Sequence, residues 1–243
     1  MQLADLKWPD IAALSRDIPI VIPVAALEQH GHHMPLFTDS LLLGEVMRRV
    51  SDQLAERVLF TPLMWLGNSE HHLDFPGTMT ASPRVYLDLL KALVENFLFH
   101  GLHRIVIVNG HGGNIVPAQQ ALFEVRQKYR ERRDLLLLST TYWTLGAQPA
   151  AGDKSFVQTC MGHACEWETS MMLRLRPELV GDYRAAVLVP QAEPYAPANR
   201  AWITKDRSEV GHIGDPSQAT AEKGEVLFRL FTADVVAYLT RIC

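Results

Sequence analysis

The sequence predicts an α/β fold in which helices cover both faces of a mostly parallel sheet. Five short apolar runs alternate with longer helical segments; they lie at residues 18–26, 57–63, 104–110, 134–143 and 185–190. Most of these runs are continuously apolar rather than alternating with polar residues, which is the pattern of strands that are buried on both faces. We therefore predict that these runs pair as a parallel sheet.

Apolar residues that recur every three or four positions predict the helices between the strands. In chain order these are a helix at 40–50, a helix that begins at Pro83 after the N-cap Ser82, a helix at 115–129 and a closing helix at about 217–241. The stretches at about 64–81, 144–164 and 190–216 are instead rich in Gly, Pro, Asp and His. Loops of this length in a compact α/β domain are usually functional or disordered.

The composition favours one folded domain that spans residues 1–243. The content of 48% hydrophobic and 21% charged residues is near the globular average, so neither a disordered chain nor a fibrous repeat is indicated. A net charge of -4 without a long run of Lys and Arg gives no electrostatic footprint for nucleic acid. A small-molecule partner is therefore the expected one.

The sequence also favours a cytoplasmic protein without a membrane span. The N-terminal segment carries acidic residues and has no apolar stretch before Ile18, unlike a secretory signal peptide. No stretch reaches the roughly 18 apolar residues that a membrane span needs. The three cysteines, Cys160, Cys165 and Cys243, have no paired spacing, so we expect no disulfide framework and a reducing compartment.

Side chains of the kind that bind metals are concentrated in LEQHGHHMPLFTD, residues 27–39. This segment follows the strand predicted at 18–26, and open α/β sheets bind their ligands at the carboxyl ends of strands. Glu28 and His30 point the same way if the chain is extended, and Asp39 returns from the start of the next helix. Mixed carboxylate and imidazole ligands suit Zn, Mn or Fe. The alternative is that Asp39 only caps the helix and that the histidines are solvated.

The segment RIVIVNGHGGN, residues 104–114, is a second strand that ends in a metal-binding type of residue. His111 follows the strand, and Gly110, Gly112 and Gly113 permit a close approach of the backbone. The glycines also resemble a phosphate loop, but their spacing fits neither the dinucleotide fingerprint nor the P-loop pattern. A nucleotide-dependent enzyme is therefore the least favoured alternative.

A third cluster, GHACEWETSMML at residues 162–173, places His163, Glu166 and Glu168 ahead of an apolar helix. Either glutamate has a structural alternative as an acidic first-turn residue that the helix dipole favours. We expect Glu168 to be the better ligand of the two.

A fourth cluster, GNSEHHLDFPGTMT at residues 67–80, contains His71 and His72 beside a Pro-Gly turn. Both metal ligation and a position in the rim or lid of the site stay open for these two histidines.

Five segments, in order over nearly the whole chain, resemble the creatininase (creatinine amidohydrolase) family: EQHGHHMPLFTD, SEHHLDFPGT, NGHGGN, GHACEWETS and GHIGDPSQATAEKG. The resemblance implies a three-layer α/β/α sandwich, a homo-hexamer, and two divalent ions that activate a water against the C–N bond of a cyclic or linear amide. Carried over to this chain, it implies that Glu28 and His111 bind one ion, that His30 binds the other, and that Asp39 binds both.

The chain departs from creatininase itself at two places. In that enzyme a glutamate ligand lies two residues after the metal-binding histidine, where this chain has Gly113. We expect Glu168 to replace that ligand, with Glu166 as the fallback. Creatininase also covers creatinine with a tryptophan shortly before the histidine of the third cluster, whereas this chain has Phe156 and no tryptophan there. Creatinine is therefore not the expected substrate.

The resemblance and the clusters together predict a divalent-metal-dependent amidohydrolase with two Zn or Mn ions, or Fe, as cofactors. His163 resembles the family's catalytic histidine, although a hydrogen bond from it to a ligating carboxylate is an alternative role. Substrate contacts are expected from Ser69, Glu70, His71, Gly112 and Glu166. The alternatives are a metal- or ligand-binding protein without turnover, and a family peptidase or formamide deformylase.

The Pro-rich segment at residues 189–206 also favours a homo-oligomer. It carries Tyr195 and Trp202 with little nearby apolar sequence to bury them. Isolated exposed aromatic residues are common on monomers, so the expected hexamer depends mainly on the resemblance.

Overall fold

The computed structural model describes residues 1–192, 195 and 197–243. Three residues of the long segment predicted at 190–216 therefore lie outside the described residues. In the described part, a four-stranded sheet consists of β1 (Pro19–Val24), β2 (Leu59–Phe60), β3 (Arg104–Asn109) and β4 (Leu136–Thr141). The strand order is β2-β1-β3-β4 and every neighbouring pair is parallel, so the predicted parallel sheet is confirmed.

The described helices are α1 (Trp8–Ala13), α2 (Thr38–Leu54), α3 (Pro83–Phe99), α4 (Ile115–Lys128), α5 (Pro149–Gly152), α6 (Glu166–Leu175) and α7 (Ala221–Thr240). Helix α3 begins at Pro83 as predicted, although the Ser82 side chain makes no cap hydrogen bond. Helix α7 begins later than predicted, after Thr220, whose side-chain oxygen accepts the backbone N–H of Lys223. Within the described residues, no helix combines the length and the apolar character that a membrane crossing needs.

Strand β1 lies in the centre of the molecule and is buried along its whole length. Its side chains alternate between two apolar cores, as the pleat of a strand requires. Ile20 and Ile22 pack with residues of α3 and α4, whereas Val21 packs with residues of α2, α6 and α7. Helices therefore cover both faces of the sheet, and the predicted three-layer α/β/α sandwich is confirmed.

The prediction of a strand at 185–190 is wrong. In this segment only Val189 makes a strand-like bridge, and its antiparallel partner is Gly214 in a distant loop. Val187 and Leu188 are each 64% exposed. An apolar run of six residues has the composition of a buried strand, but here it lies on the surface and pairs with Gly214 rather than with a strand of the sheet.

The carboxyl ends of β1 and β3 lie side by side, since Val24 pairs with Asn109. The chain leaves this edge toward Glu28 after β1 and toward His111 after β3. The side chain of Asn114 connects the loops here, because its amide donates to the carbonyl of Ala25 at 3.0 Å and accepts the backbone N–H of Asn68 at 2.8 Å. Three of the four predicted clusters therefore meet at one edge of the sheet.

Candidate metal centre

A cavity of about 960 Å³ opens at this edge of the sheet. Its inner end is formed by carboxylates and imidazoles that come from all four predicted clusters, namely Glu28, Asp39, His71, His72, His111, His163 and Glu168. A polar inner end in a large cavity is the usual arrangement of an enzyme active site.

Glu28 lies at the centre of the inner end and is fully buried. Within the described residues, neither of its carboxylate oxygens has a hydrogen-bond partner. Imidazole nitrogens of His111, His72 and His163 lie 3.2, 3.4 and 3.5 Å from its Oε1. Because a buried carboxylate without partners is costly, this arrangement fits a cation that would bind Glu28 and its neighbours together.

Asp39 joins the first two clusters. It lies in the first turn of α2, where one carboxylate oxygen is 3.0 Å from Nε2 of His30 and the other is 3.0 Å from Nδ1 of His111. Its carboxylate therefore faces the site from inside the helix, so the alternative of a helix cap does not describe it. A carboxylate that faces two imidazoles from its two oxygens has the geometry of a bridging metal ligand.

Backbone carbonyls fix the orientation of three imidazoles. His30 donates from Nδ1 to the carbonyl of Glu28 at 3.0 Å, and His111 donates from Nε2 to the carbonyl of Asn68 at 3.0 Å. His163 donates from Nε2 to the carbonyl of Gln29 at 2.8 Å. In the neutral form of each ring, the other nitrogen therefore directs a lone pair into the site, which is the arrangement that metal-binding histidines adopt.

Charged neighbours set the ionisation of the side chains at the inner end of the cavity. Burial disfavours the charged form of Glu28, but His111 and His72 outweigh it and hold its pKa well below the usual range. Burial also opposes protonation of His30, whereas Asp39 favours it and raises its pKa to about 9. The acidic side chains thus attract positive charge into the site, as a divalent cation would supply it.

Helix α6 begins at Glu166, so Glu166 and Glu168 are both helical. Because residues two positions apart lie on nearly opposite faces of a helix, the two side chains point in opposite directions. Glu168 lines the cavity and accepts the backbone N–H of Ala164 at 2.5 Å. Ligand atoms of His30, His163 and Glu168 lie within 4.8 Å of one another. Burial raises the pKa of Glu168 to about 7. A nearby cation would therefore stabilise the ionised form of this carboxyl group.

Glu166 lies outside the lining of this cavity. Its carboxylate binds Nζ of Lys223 at 2.6 Å and accepts the backbone N–H groups of Val157 and Gln158. These contacts attach the loop before α6 to the start of α7. The geometry therefore gives Glu166 a structural role in place of the expected contact with substrate.

Comparison with known proteins shows the family of this chain. The family described as creatinine amidohydrolase matches residues 4–239. The chain is 28% identical to creatinine amidohydrolase from Pseudomonas putida over 94% of this chain and 92% of that protein. It is 32% identical to the mycofactocin precursor peptide peptidase of Mycobacterium ulcerans over 91% of this chain and 84% of that protein. This chain belongs to the creatininase family.

Solved creatininase structures have the same fold. A mutant creatininase complexed with creatine superposes with a TM-score of 0.84 at 26% identity, over 99% of this chain and 97% of that one. Similar structures include a Zn–Zn form and a Mn form of creatininase. The predicted resemblance and the predicted class of enzyme, a hydrolase of this family, are therefore confirmed.

Gly113 lies at the position that corresponds to the glutamate ligand of creatininase, and the local packing explains why this chain has no side chain there. A Cβ atom at Gly113 would lie 2.2 Å from the carbonyl oxygen of Asn68 and 2.5 Å from Nε2 of His111. These distances are far below van der Waals contact. The loop that carries Asn68 and His71 therefore occupies the space that a side chain at this position needs.

We predict that Gly113→Ala destabilises the protein by about 1–3 kcal/mol, because the added methyl group displaces the Asn68 loop. Thermal denaturation measures this effect. Gly112→Ala is the matched control, since a Cβ atom at Gly112 meets no atom within 4 Å. Equal melting temperatures for the two variants would contradict the steric explanation.

The remaining residues that were expected to contact substrate are divided between the cavity and its surroundings. His71 and Gly112 line the cavity. Ser69 is buried behind His111, with its hydroxyl 3.2 Å from Nε2 of that ring. Glu70 is exposed and lies outside the lining, so the geometry does not support a contact with substrate there.

The sequence alone did not identify Gln29 as a site residue. Its amide oxygen accepts the backbone N–H of Gly31 at 2.8 Å, and its amide nitrogen donates to the carbonyl of Gly211 at 2.7 Å and to Nδ1 of His72 at 2.8 Å. His72 consequently carries its proton on Nε2, which faces Glu28. The position of Gln29 between two predicted ligands was the only available signal.

Proposed function

We propose that this creatininase-family protein is a divalent-metal-dependent amidohydrolase that cleaves a C–N bond in a small cyclic or linear amide. The observation that carries the proposal is the position of Asp39 between His30 and His111, beside the buried carboxylate of Glu28, which three imidazoles surround. In this proposal the chain acts as one domain spanning residues 1–243.

The donor set suits two divalent ions, Zn or Mn, with Fe as a further option. Glu28 and His111 would hold one ion, His30 and Glu168 the other, and Asp39 both. Ions in such a site lower the pKa of a bound water and polarise a carbonyl group. Cys165 has no part in this chemistry, because it is buried and its burial raises the pKa of its thiol to about 12.

His163 is the residue that would move the proton. Its Nε2 proton is held by the carbonyl of Gln29, which leaves Nδ1 to take a proton from the attacking water and deliver it to the leaving nitrogen as the C–N bond breaks. Burial lowers its pKa well below the usual value, helped by His72 and His30, so that the ring is neutral at pH 7.

A panel of amides tests the proposed reaction. The metal-free protein is loaded with Zn or Mn and incubated with lactams, formamides, N-acyl amino acids and short peptides, creatinine included. Hydrolysis that requires the metal supports the proposal. Tight binding of two ions with no hydrolysis of any member would favour the alternative of a binding protein without turnover.

A peptidase is the second candidate. The relatives include the mycofactocin precursor peptide peptidase at 32% identity, and the cavity, at about 960 Å³, has room for a larger substrate than creatinine. Hydrolysis of peptides but not of lactams or formamides in the same panel would favour this reaction.

We predict that Glu168→Gln lowers the metal content from two ions per chain toward one, while Glu166→Gln leaves both ions in place. The second variant should instead lose about 1.5–3 kcal/mol of stability, because Lys223 loses its charged partner. Elemental analysis and thermal melting of both variants provide the two measurements, and each variant is the control for the other. Two ions per chain in Glu168→Gln would rule out the assignment of Glu168 as a ligand.

We also propose a homo-hexamer. This proposal depends on membership of the family, and the exposed aromatic residues Trp8, Phe99 and Tyr195, at 82%, 87% and 59% exposure, are side chains that a subunit interface would cover. Trp202 is not one of them, because it packs against His71 and Arg207 in the wall of the cavity. We expect light scattering at micromolar concentration to give six times the mass of the chain, and a monomer would contradict the proposal.

A further inference from the structure

The outer part of the cavity differs in charge from its inner end. Among the described residues of the lining, the carboxylates are Glu28, Asp39 and Glu168, all at the inner end. The outer wall instead contains two arginines, Arg200 and Arg207, which come from the long segment before α7. A substrate that extends from the inner end to the opening therefore passes from a metal-binding region to a cationic one.

Arg207 is held in a defined position. Its Nη2 donates to the backbone carbonyl of Gln191 at 3.0 Å, and its guanidinium lies 4.9 Å from the centre of the Trp202 ring. A guanidinium has five N–H donors, and the bond to Gln191 uses one of them. The stacked, weakly hydrated guanidinium is thus prepared to bind an anion with two parallel hydrogen bonds.

Aromatic contacts connect Arg207 with the inner end. The ring of Trp202 meets His71 edge-on at 5.2 Å, and His71 stacks on His111 at 5.8 Å. His111 is one of the proposed metal ligands. The guanidinium is therefore separated from the proposed point of cleavage by a wall of three rings, a distance that a compact ring such as creatinine does not span.

Arg200 adds a second cation at the opening. Its guanidinium is 3.7 Å from the carboxylate of Asp206, and both side chains are more than one third exposed. An exposed pair of this kind contributes little energy, so the arginine can turn toward a bound anion at small cost.

We propose that Arg207, assisted by Arg200, is an anion subsite, and that the substrate is an amide with a carboxylate or phosphate group several bonds from the scissile C–N bond. This inference depends on the proposed function for the place where that bond lies. Trp202 forms the apolar wall along which the linking part of the substrate packs.

Paired hydroxamates test the subsite, because the hydroxamate group binds the metal and the tail reaches outward. The probes are the monohydroxamates of adipic, suberic and sebacic acid, their methyl esters, and phosphonate analogues of equal length. Calorimetric titration of the Zn-loaded protein gives the affinity of each. At one of these lengths we expect the acid to bind about tenfold more tightly than its ester, the effect of one charge-assisted hydrogen-bonded contact.

In Arg207→Gln this difference between acid and ester should fall to less than twofold, with the affinity of the ester unchanged. Arg130→Gln changes an exposed arginine that does not line the cavity, and this variant should keep the full difference. Arg207→Lys retains the charge and should keep part of the difference, which excludes misfolding as the cause. The tail that binds more tightly, carboxylate or phosphonate, identifies the class of anion that the subsite prefers.

An acid that binds no better than its ester at any length, or an undiminished difference in Arg207→Gln, would overturn the subsite. Failure of the proposed function has two other signatures. An ester affinity that does not depend on metal would remove the metal centre, and metal-dependent binding without hydrolysis of any amide in the panel would leave a binding protein. The acid and its ester are compared on the same protein preparation, so the difference between their affinities still reports on Arg207 when the proposed function fails.

Discussion

Replacing Asp39 with alanine should leave a folded protein that retains almost none of the two metal ions and has no measurable hydrolase activity. The reason is the position of this carboxylate, whose two oxygens face His30 and His111 from separate clusters. Loss of a shared ligand weakens both halves of the site together. His30→Ala should remove mainly one ion, because Glu28, His111 and Asp39 still surround the other.

Elemental analysis after dialysis against metal-free buffer measures both variants. Asp52→Ala is the control, since Asp52 lies in the same helix but is exposed and pairs only with Arg48 among the described residues. It should retain two ions per chain. Equal losses in Asp39→Ala and His30→Ala would show that Asp39 belongs to one ion alone and would remove the bridging assignment.

The sheet could be predicted because burial on both faces leaves a clear pattern in the sequence. β1 and β3 are continuous apolar runs, and both appear within the predicted ranges. The run at 185–190 has the same local pattern but remains on the surface. Whether an apolar run joins a sheet depends on where the rest of the fold places it, and this information is not contained in the run itself.

The inner end of the site could also be predicted, since parallel strands bring their carboxyl ends together. The choice between Glu166 and Glu168 could not, because it depends on the residue at which α6 begins. Helix boundaries are the least certain part of any sequence-based prediction. With Glu166 as the first helical residue, the two carboxylates point to Lys223 and to the cavity respectively.

Contacts between residues far apart in the sequence were beyond prediction. Gln29 reaches Gly211, which lies 182 positions later in the chain, and Arg207 becomes part of the cavity only through Trp202 and Gln191. No local motif marks such residues. They become visible only when the loops are packed over the edge of the sheet.

His163 has two possible roles that one substitution can separate. Its Nε2 is bound to the carbonyl of Gln29, and its Nδ1 lies 3.5 Å from Oε1 of Glu28. Glutamine at this position retains a donor that can reach the Gln29 carbonyl but has no basic nitrogen. The variant therefore removes proton transfer while it preserves a hydrogen bond to the Gln29 carbonyl.

For His163→Gln we expect kcat to fall by about 10²–10⁴, the usual contribution of a general acid–base group. KM and the content of two metal ions per chain should stay close to those of the unaltered protein, because the proposed ligands are untouched. Steady-state kinetics on the best amide of the panel, with elemental analysis of the same sample, measures both. A variant that loses an ion would identify His163 as a ligand, and a variant with unchanged kcat would leave it with the structural role of a donor to the Gln29 carbonyl.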